Sequence, residues 1–163
     1  MNPSPPIDLA RQIATSAHEG QVDKNGAAYI GHPARVAARV RGDDAAEIVA
    51  WLHDVVEDTT LTLEDLRAHF PESIVAAVDA MTRRSEEAPD AYYARVRADP
   101  IARAVKLADI ADNTDPPRTT LPTDATPDRN HQQWLIGPST NTTGLDRRAD
   151  AAGRPTTPLS RAV

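Results

Sequence analysis

Ile48-Val49-Ala50-Trp51-Leu52-His53-Asp54-Val55-Val56-Glu57-Asp58 carries one imidazole and three carboxylates at the end of an otherwise apolar run. The unbroken hydrophobic character predicts a central, buried helix. Ionisable groups on such a helix cost several kcal/mol to desolvate unless a cation or a hydrogen-bond network compensates. A divalent cation is the simplest compensation, so the stretch points to a metal-dependent hydrolase.

Around it, the first 115 or so residues read as helices joined by short loops. A helix is expected from Pro6 or Ile7 to Ala17, with Ile7, Ala10, Ile13, Ala14 and Ala17 on one face. Gly20 to Gly31 reads as a polar loop turning at Asn25-Gly26. His32-Pro33 opens the next helix, which buries Val36, Ala37 and Val40 and stops at Gly42. Asp43 or Asp44 caps the central helix, expected to run to about Glu57. Thr62-Leu63-Glu64-Asp65 resembles a capping box opening a short helix that ends at Phe70-Pro71. Ile74, Val75, Val78 and Met81 mark another helix, and Pro89 to Ala98 a further one. Asp99-Pro100 starts the last, running to about Asn113 with Ile101, Ala104, Val105, Leu107 and Ala108 available to pack. No segment alternates strictly, so the expected fold class is all-α, a helical bundle.

From Asp115 onward the chain is rich in Pro, Thr, Asp and Arg, with one apolar island at Trp134-Leu135-Ile136. That composition predicts a disordered tail over 118–163 after a domain over 1–117. A truncation or frame change near residue 117 is the accompanying expectation, and a protease-resistant tail would count against disorder.

Composition narrows the function classes. The 163 residues carry a net charge of -6 and no cysteine. Thiolate metal sites and disulfides are excluded. An acidic chain is poorly suited to nucleic acid, which needs clustered Lys and Arg. No apolar run approaches about 20 residues and the N-terminus lacks signal-peptide character, so no membrane partner and a cytoplasmic location are expected. The composition does not address oligomeric state. The lysines are Lys24 and Lys106 alone.

The chemistry-bearing residues fall into three groups. His32, His53, Asp54 and Asp109 come from three helices and can hold a hard or borderline cation with positions left for water. Mn²⁺ suits the mixed imidazole and carboxylate set; Fe²⁺, Co²⁺ and Zn²⁺ are alternatives. Taken alone, His32 reads better as a helix-start residue with no ligand role, and Asp109 can be read as a solvated acid or one paired with Lys106. Glu57 and Asp58 follow His53 and Asp54 at i+4, placed to orient a water and move its proton. The third group is Lys24, Arg35, Arg39, Arg83, Arg84 and Lys106, with Asn113 one turn past Asp109, where a phosphorylated substrate would need cations and hydrogen bonds. Among these, Arg35 and Arg84 read better as surface charge.

In chain order, several motifs resemble one family: Ala17-His18-Glu19-Gly20-Gln21, Lys24-Asn25-Gly26, Tyr29-Ile30-Gly31-His32-Pro33, Trp51 to Thr59, Val78-Asp79-Ala80-Met81-Thr82-Arg83, and Val105-Lys106-Leu107-Ala108-Asp109 with Asn113. They resemble the HD-domain superfamily of metal-dependent phosphohydrolases, in particular the guanosine polyphosphate hydrolase domain of RelA/SpoT-type proteins and their small single-domain relatives. The resemblance covers residues 7 to 117. It implies His32, His53, Asp54 and Asp109 as ligands to Mn²⁺. Glu57 and Asp58 would be the water-activating pair, Lys24, Asn25 and Tyr29 would lie at the nucleotide, and Asn113 at the sugar. The implied reaction removes pyrophosphate from the 3′ position of ppGpp or pppGpp to give GDP or GTP. Its alternatives are an HD-domain phosphohydrolase for another nucleotide and a catalytically weak nucleotide-binding relative. Three places depart from the family pattern. Asp23 stands where the larger enzymes usually carry Arg, Ile110-Ala111-Asp112 where they usually carry Arg-Leu-His, and Asp115 in place of another Arg, which predicts less positive charge near the substrate.

Overall fold

Residues 6–115 are described by the structure, a computed structural model. Among them are eight helices: α1 (Pro6–Ala17), α2 (Gly31–Arg39), α3 (Asp44–Leu52), α4 (Val55–Asp58), α5 (Leu63–Arg67), α6 (Glu72–Met81), α7 (Pro89–Ala98) and α8 (Pro100–Asn113). The all-α expectation is met; the described residues form no strand, only an isolated bridge between Val22 and Ala28. The tail over 118–163, including Trp134-Leu135-Ile136, lies outside the described residues.

α3 is the central element, packed against α1, α2, α6 and α8. Its composition explains why: Ala46, Ile48, Val49, Ala50 and Leu52 are all buried, so the helix has no fully solvated face. α1 packs against it and buries Ala10 and Ala14 completely, spaced at i, i+4. Small residues at that spacing let two helix backbones approach closely. The caps hold where chain chemistry predicts them. Asp43 accepts from the amide of Ala46 at 3.1 Å. Thr62 and Asp65 form the reciprocal capping box. The Asp99 carboxylate accepts from Ile101 and Ala102, both at 2.9 Å, beside the first-turn Pro100.

Three expectations are corrected. The central helix does not run on to Glu57: it ends at Leu52 and α4 begins at Val55. The cause is local competition for hydrogen bonds. His53 Nδ1 turns back onto the Ala50 carbonyl at 2.8 Å, and the Asp54 carbonyl starts a new turn by accepting from Asp58 at 2.9 Å. The helix after Thr62 stops at Arg67, short of Phe70. On α8, Leu107 is 37% exposed and Ala104 is also exposed, because the buried face runs through Ala102, Val105, Ala108, Asp109, Ile110 and Asp112 instead.

Candidate metal centre

α2, α3 and α8 pack against one another pairwise, and this brings together residues distant in sequence. His32 enters from the first turn of α2, His53 from the end of α3 and Asp109 from α8; all three are buried. One potential ligand atom from each lies within 4.8 Å of the others. Asp54 lies beside the two histidines of this group. Its Oδ2 is 3.0 Å from His53 Nε2 and 3.7 Å from His32 Nε2, while Asp109 Oδ1 is 3.1 Å from His32 Nε2.

Two features of this cluster call for a positive charge at its centre. His53 Nε2 is buried and, although close to Asp54, has no aligned hydrogen-bond partner among the described residues. An orphaned buried ring nitrogen beside carboxylate oxygens is the arrangement of a ligand aimed at a cation. The protonation equilibria report the same demand. Burial opposes charge on His53, yet Asp54 and then Asp109 outweigh it and its pKa is pushed up to about 9. Burial likewise opposes the Asp54 charge, but His53 and a hydrogen bond from Tyr29 hold its carboxyl down at about 2. Asp109 is also held well below the usual carboxylate range: burial opposes ionisation, and His32 and Lys106 overcome it. A proton on His53 and a divalent cation are thus alternative ways of neutralising the same carboxylates, and a nitrogen–oxygen donor set of this kind fits a hard or borderline divalent cation.

The surroundings orient these groups. Lys106 Nζ donates to Asp109 Oδ2 and Asn113 Nδ2 donates to Asp109 Oδ1, both at 2.7 Å. Asp109 is therefore both paired with Lys106 and part of the cluster. The ring of His32 stands 5.3 Å from that of His53 and 5.9 Å from that of Tyr29. Tyr29 donates its hydroxyl to Asp54 Oδ2. Burial first, then the charges of Asp54 and Asp58, keep that hydroxyl protonated far above its usual range.

Glu57 and Asp58 sit on α4, exposed, one turn beyond the cluster. Glu57 Oε2 accepts from the Arg83 amide at 3.0 Å, which fixes the carboxylate against the end of α6. Lys24 and Asn25 are exposed on the loop between α1 and α2. Asp23 organises that loop: its Oδ1 accepts from the amides of Asn25 at 2.8 Å and Ala27 at 3.0 Å. Of the expected nucleotide-side residues, the fold thus brings Tyr29 and Asn113 into direct contact with the acidic cluster and leaves Lys24 and Asn25 on its flanking loop.

The acids at 112 and 115 do not face outward as free negative charge. Asp112 is 1% exposed and bonds inward to His32 and Arg35. Asp115 pairs with Arg39 at 3.1 Å. Arg35 and Arg39, read as cationic candidates, are engaged by these acids, and Arg84 pairs with Asp79. His18 is a buried residue that ligand reasoning passed over. It is 2% exposed, bonded through Nδ1 to Gln21 Oε1 at 2.8 Å, with its ring 4.8 Å from that of Tyr29.

A family model described as an HD domain matches residues 10–110, and the chain belongs to the HD-domain family. Within it, the chain is similar to proteins of RelA/SpoT type. It is 44% identical over 85 residues to a guanosine-3′,5′-bis(diphosphate) 3′-pyrophosphohydrolase of Vibrio cholerae, an alignment covering 48% of this chain and 12% of that protein. It is 37% identical over 119 residues to a GTP pyrophosphokinase of Streptomyces coelicolor, covering 66% of this chain and 14% of that one. The chain thus spans only a small part of the length of these relatives. Among solved structures, a metazoan ortholog of SpoT that hydrolyzes ppGpp superposes with a TM-score of 0.64 at 25% identity, covering 83% of this chain and 84% of that one.

Proposed function

We propose that this chain is a metal-dependent phosphohydrolase that removes pyrophosphate from the 3′ position of ppGpp or pppGpp, giving GDP or GTP. The observation that carries the reading is the convergence of His32, His53 and Asp109, within 4.8 Å, with Asp54 Oδ2 3.0 Å from His53 Nε2. The activities of the Vibrio cholerae relative and of the metazoan SpoT ortholog supply the substrate.

In this reading His32, His53, Asp54 and Asp109 hold Mn²⁺. The ion, when bound, supplies the positive charge that makes a water acidic enough to attack at neutral pH and offsets charge on the phosphates. Glu57 and Asp58 orient that water and accept its proton. The water oxygen bonds to the phosphorus nearest the ribose, the bond from that phosphorus to the 3′ oxygen breaks, and the released 3′ oxygen takes up a proton. Lys24 and Asn25 contact the nucleotide from their loop. Tyr29 holds Asp54 while presenting its ring to the substrate, and Asn113 reaches the sugar from beside Asp109. No described helix is long and apolar enough to cross a membrane; we place the reaction in the cytoplasm.

The test is hydrolysis of ppGpp by the purified full chain supplemented with Mn²⁺, with products separated and Asp54→Ala as control. GDP and pyrophosphate from the parent protein, absent with the variant, support the reading. Confirmed Mn²⁺ binding without turnover of ppGpp, but with turnover of another phosphorylated nucleotide, would replace the substrate. Binding without turnover of any would replace the activity.

A further inference from the structure

Asp112 lies on α8 three residues past Asp109, so both face the same side of the helix. It is the more deeply buried of the two, at 1% against 5% exposure. Its Oδ2 is 2.8 Å from His32 Nδ1, and its Oδ1 accepts from Arg35 Nε at 2.9 Å. A carboxylate facing a guanidinium is ionised and can only accept, so His32 Nδ1 is the donor in this contact. The other ring nitrogen, Nε2, is the one that lies 3.1 Å from Asp109 and 3.7 Å from Asp54.

We infer that Asp112, held in place by Arg35, is a positioning residue: it keeps the proton of His32 on Nδ1 and fixes the ring so that Nε2 presents its lone pair to the cation. The inference rests on the reading of His32, His53, Asp54 and Asp109 as a cation site. A neutral imidazole has one proton, and His32 has a carboxylate at each nitrogen. Were the proton on Nε2, it would bond to Asp109 and the ring could not act as a ligand. Asp112 makes the productive tautomer the bonded one. The same contact sets spacing. His32 and Arg35 belong to α2, Asp109 and Asp112 to α8, so the Arg35–Asp112–His32 chain ties together the two helices that carry opposite sides of the cluster.

The test uses two readouts on the full chain. Mn²⁺ alone is titrated into the parent protein, Asp112→Asn, Asp112→Ala and Arg35→Ala, with free Mn²⁺ followed by electron paramagnetic resonance. The tautomer of His32 is read from ¹⁵N–¹H spectra of the cation-free proteins. We expect Nδ1 protonation of His32 in the parent protein. Asp112→Asn should lose about 10- to 100-fold in Mn²⁺ affinity with mixed tautomers, and Arg35→Ala should show a smaller loss in the same direction. Mn²⁺ affinity within twofold of the parent for the Asp112 variants, or an Nε2-protonated His32 in the parent protein, overturns the inference. If the Asp112 variants do not fold, the parent spectrum and Arg35→Ala decide it. If the parent protein binds no Mn²⁺, the cation reading itself fails, and the parent spectrum still shows whether Asp112 fixes the tautomer.

Discussion

His53 Nε2 lies 3.0 Å from Asp54 Oδ2, although the two residues are neighbours in the chain. On an uninterrupted helix adjacent side chains diverge by about 100°. They converge here because the helix breaks between Leu52 and Val55, leaving His53 as the last cap of α3 and Asp54 as the first cap of α4. The break turns a sequence neighbourhood into a shared site.

That contact gives the cluster a pH dependence with a definite sign. The His53 pKa is raised to about 9, so in cation-free protein its protonated form stabilises the fold fully below about 6.5, and the effect is lost as pH rises through 9. The Asp54 pKa is lowered to about 2, so its contribution is present above the ordinary carboxylate range and is lost as pH falls through 2. Cation binding must displace the His53 proton, so apparent Mn²⁺ affinity should rise about tenfold per pH unit below pH 9. Thermal melts in chelator should decline towards pH 9 while melts in Mn²⁺ do not. Identical profiles with and without Mn²⁺ would sink this account.

Glu57→Gln should separate chemistry from cation binding. Glutamine keeps an oxygen to accept from the Arg83 amide, now 3.0 Å from Glu57 Oε2, but cannot take a proton. Turnover should fall by about 100- to 10,000-fold, the usual contribution of a positioned acid or base, with Mn²⁺ affinity unchanged. Unaltered kcat would remove Glu57 from its assigned role.

Arg95 pins the segment that carries Arg83. Its guanidinium donates to the carbonyls of Asp79 at 2.8 Å and Thr82 at 2.9 Å, and to both oxygens of Glu87 at 2.7 Å. Arg95→Ala leaves these acceptors without that donor and should destabilise by about 1–3 kcal/mol. It should also loosen the Glu57–Arg83 contact, lowering kcat while Mn²⁺ affinity holds. Limited proteolysis between residues 82 and 88 reports the loosening; a parent-like cleavage rate there would contradict it.

Leu52 and Leu107 make a paired test of the core. Leu52 is wholly buried and Leu107 is 37% exposed. Leu52→Ala should cost about 2–5 kcal/mol, whereas Leu107→Ala should stay within about 0.5 kcal/mol. Urea denaturation measures both, and equal losses would mean that α8 buries a different face.

Much of this architecture is legible in the chain. Asp43, the Thr62–Asp65 box and Asp99 announce helix starts because capping depends on residues within one turn. The apolar run from Ile48 to Leu52 announces the central helix because a helix without a polar face has to be covered on all sides. Asp112 also carried a readable signal, its i+3 spacing from Asp109, but its identity alone suggested lost positive charge near a substrate. The structure turns it inward, and its two partners, 77 and 80 residues away, could not be read from local spacing.

The sequence by itself determined the helical class, the caps and the set of ligand-type residues, because these follow from short-range spacing and side-chain chemistry. The tertiary structure decided which of those residues meet. The break at His53–Asp54, the inward turn of Asp112 onto His32 and Arg35, and the pairing of Asp115 with Arg39 depend on how α2, α3 and α8 pack. Packing is set by the fit of whole faces, and a carboxylate points to solvent, a guanidinium or a cation according to what that fit places beside it.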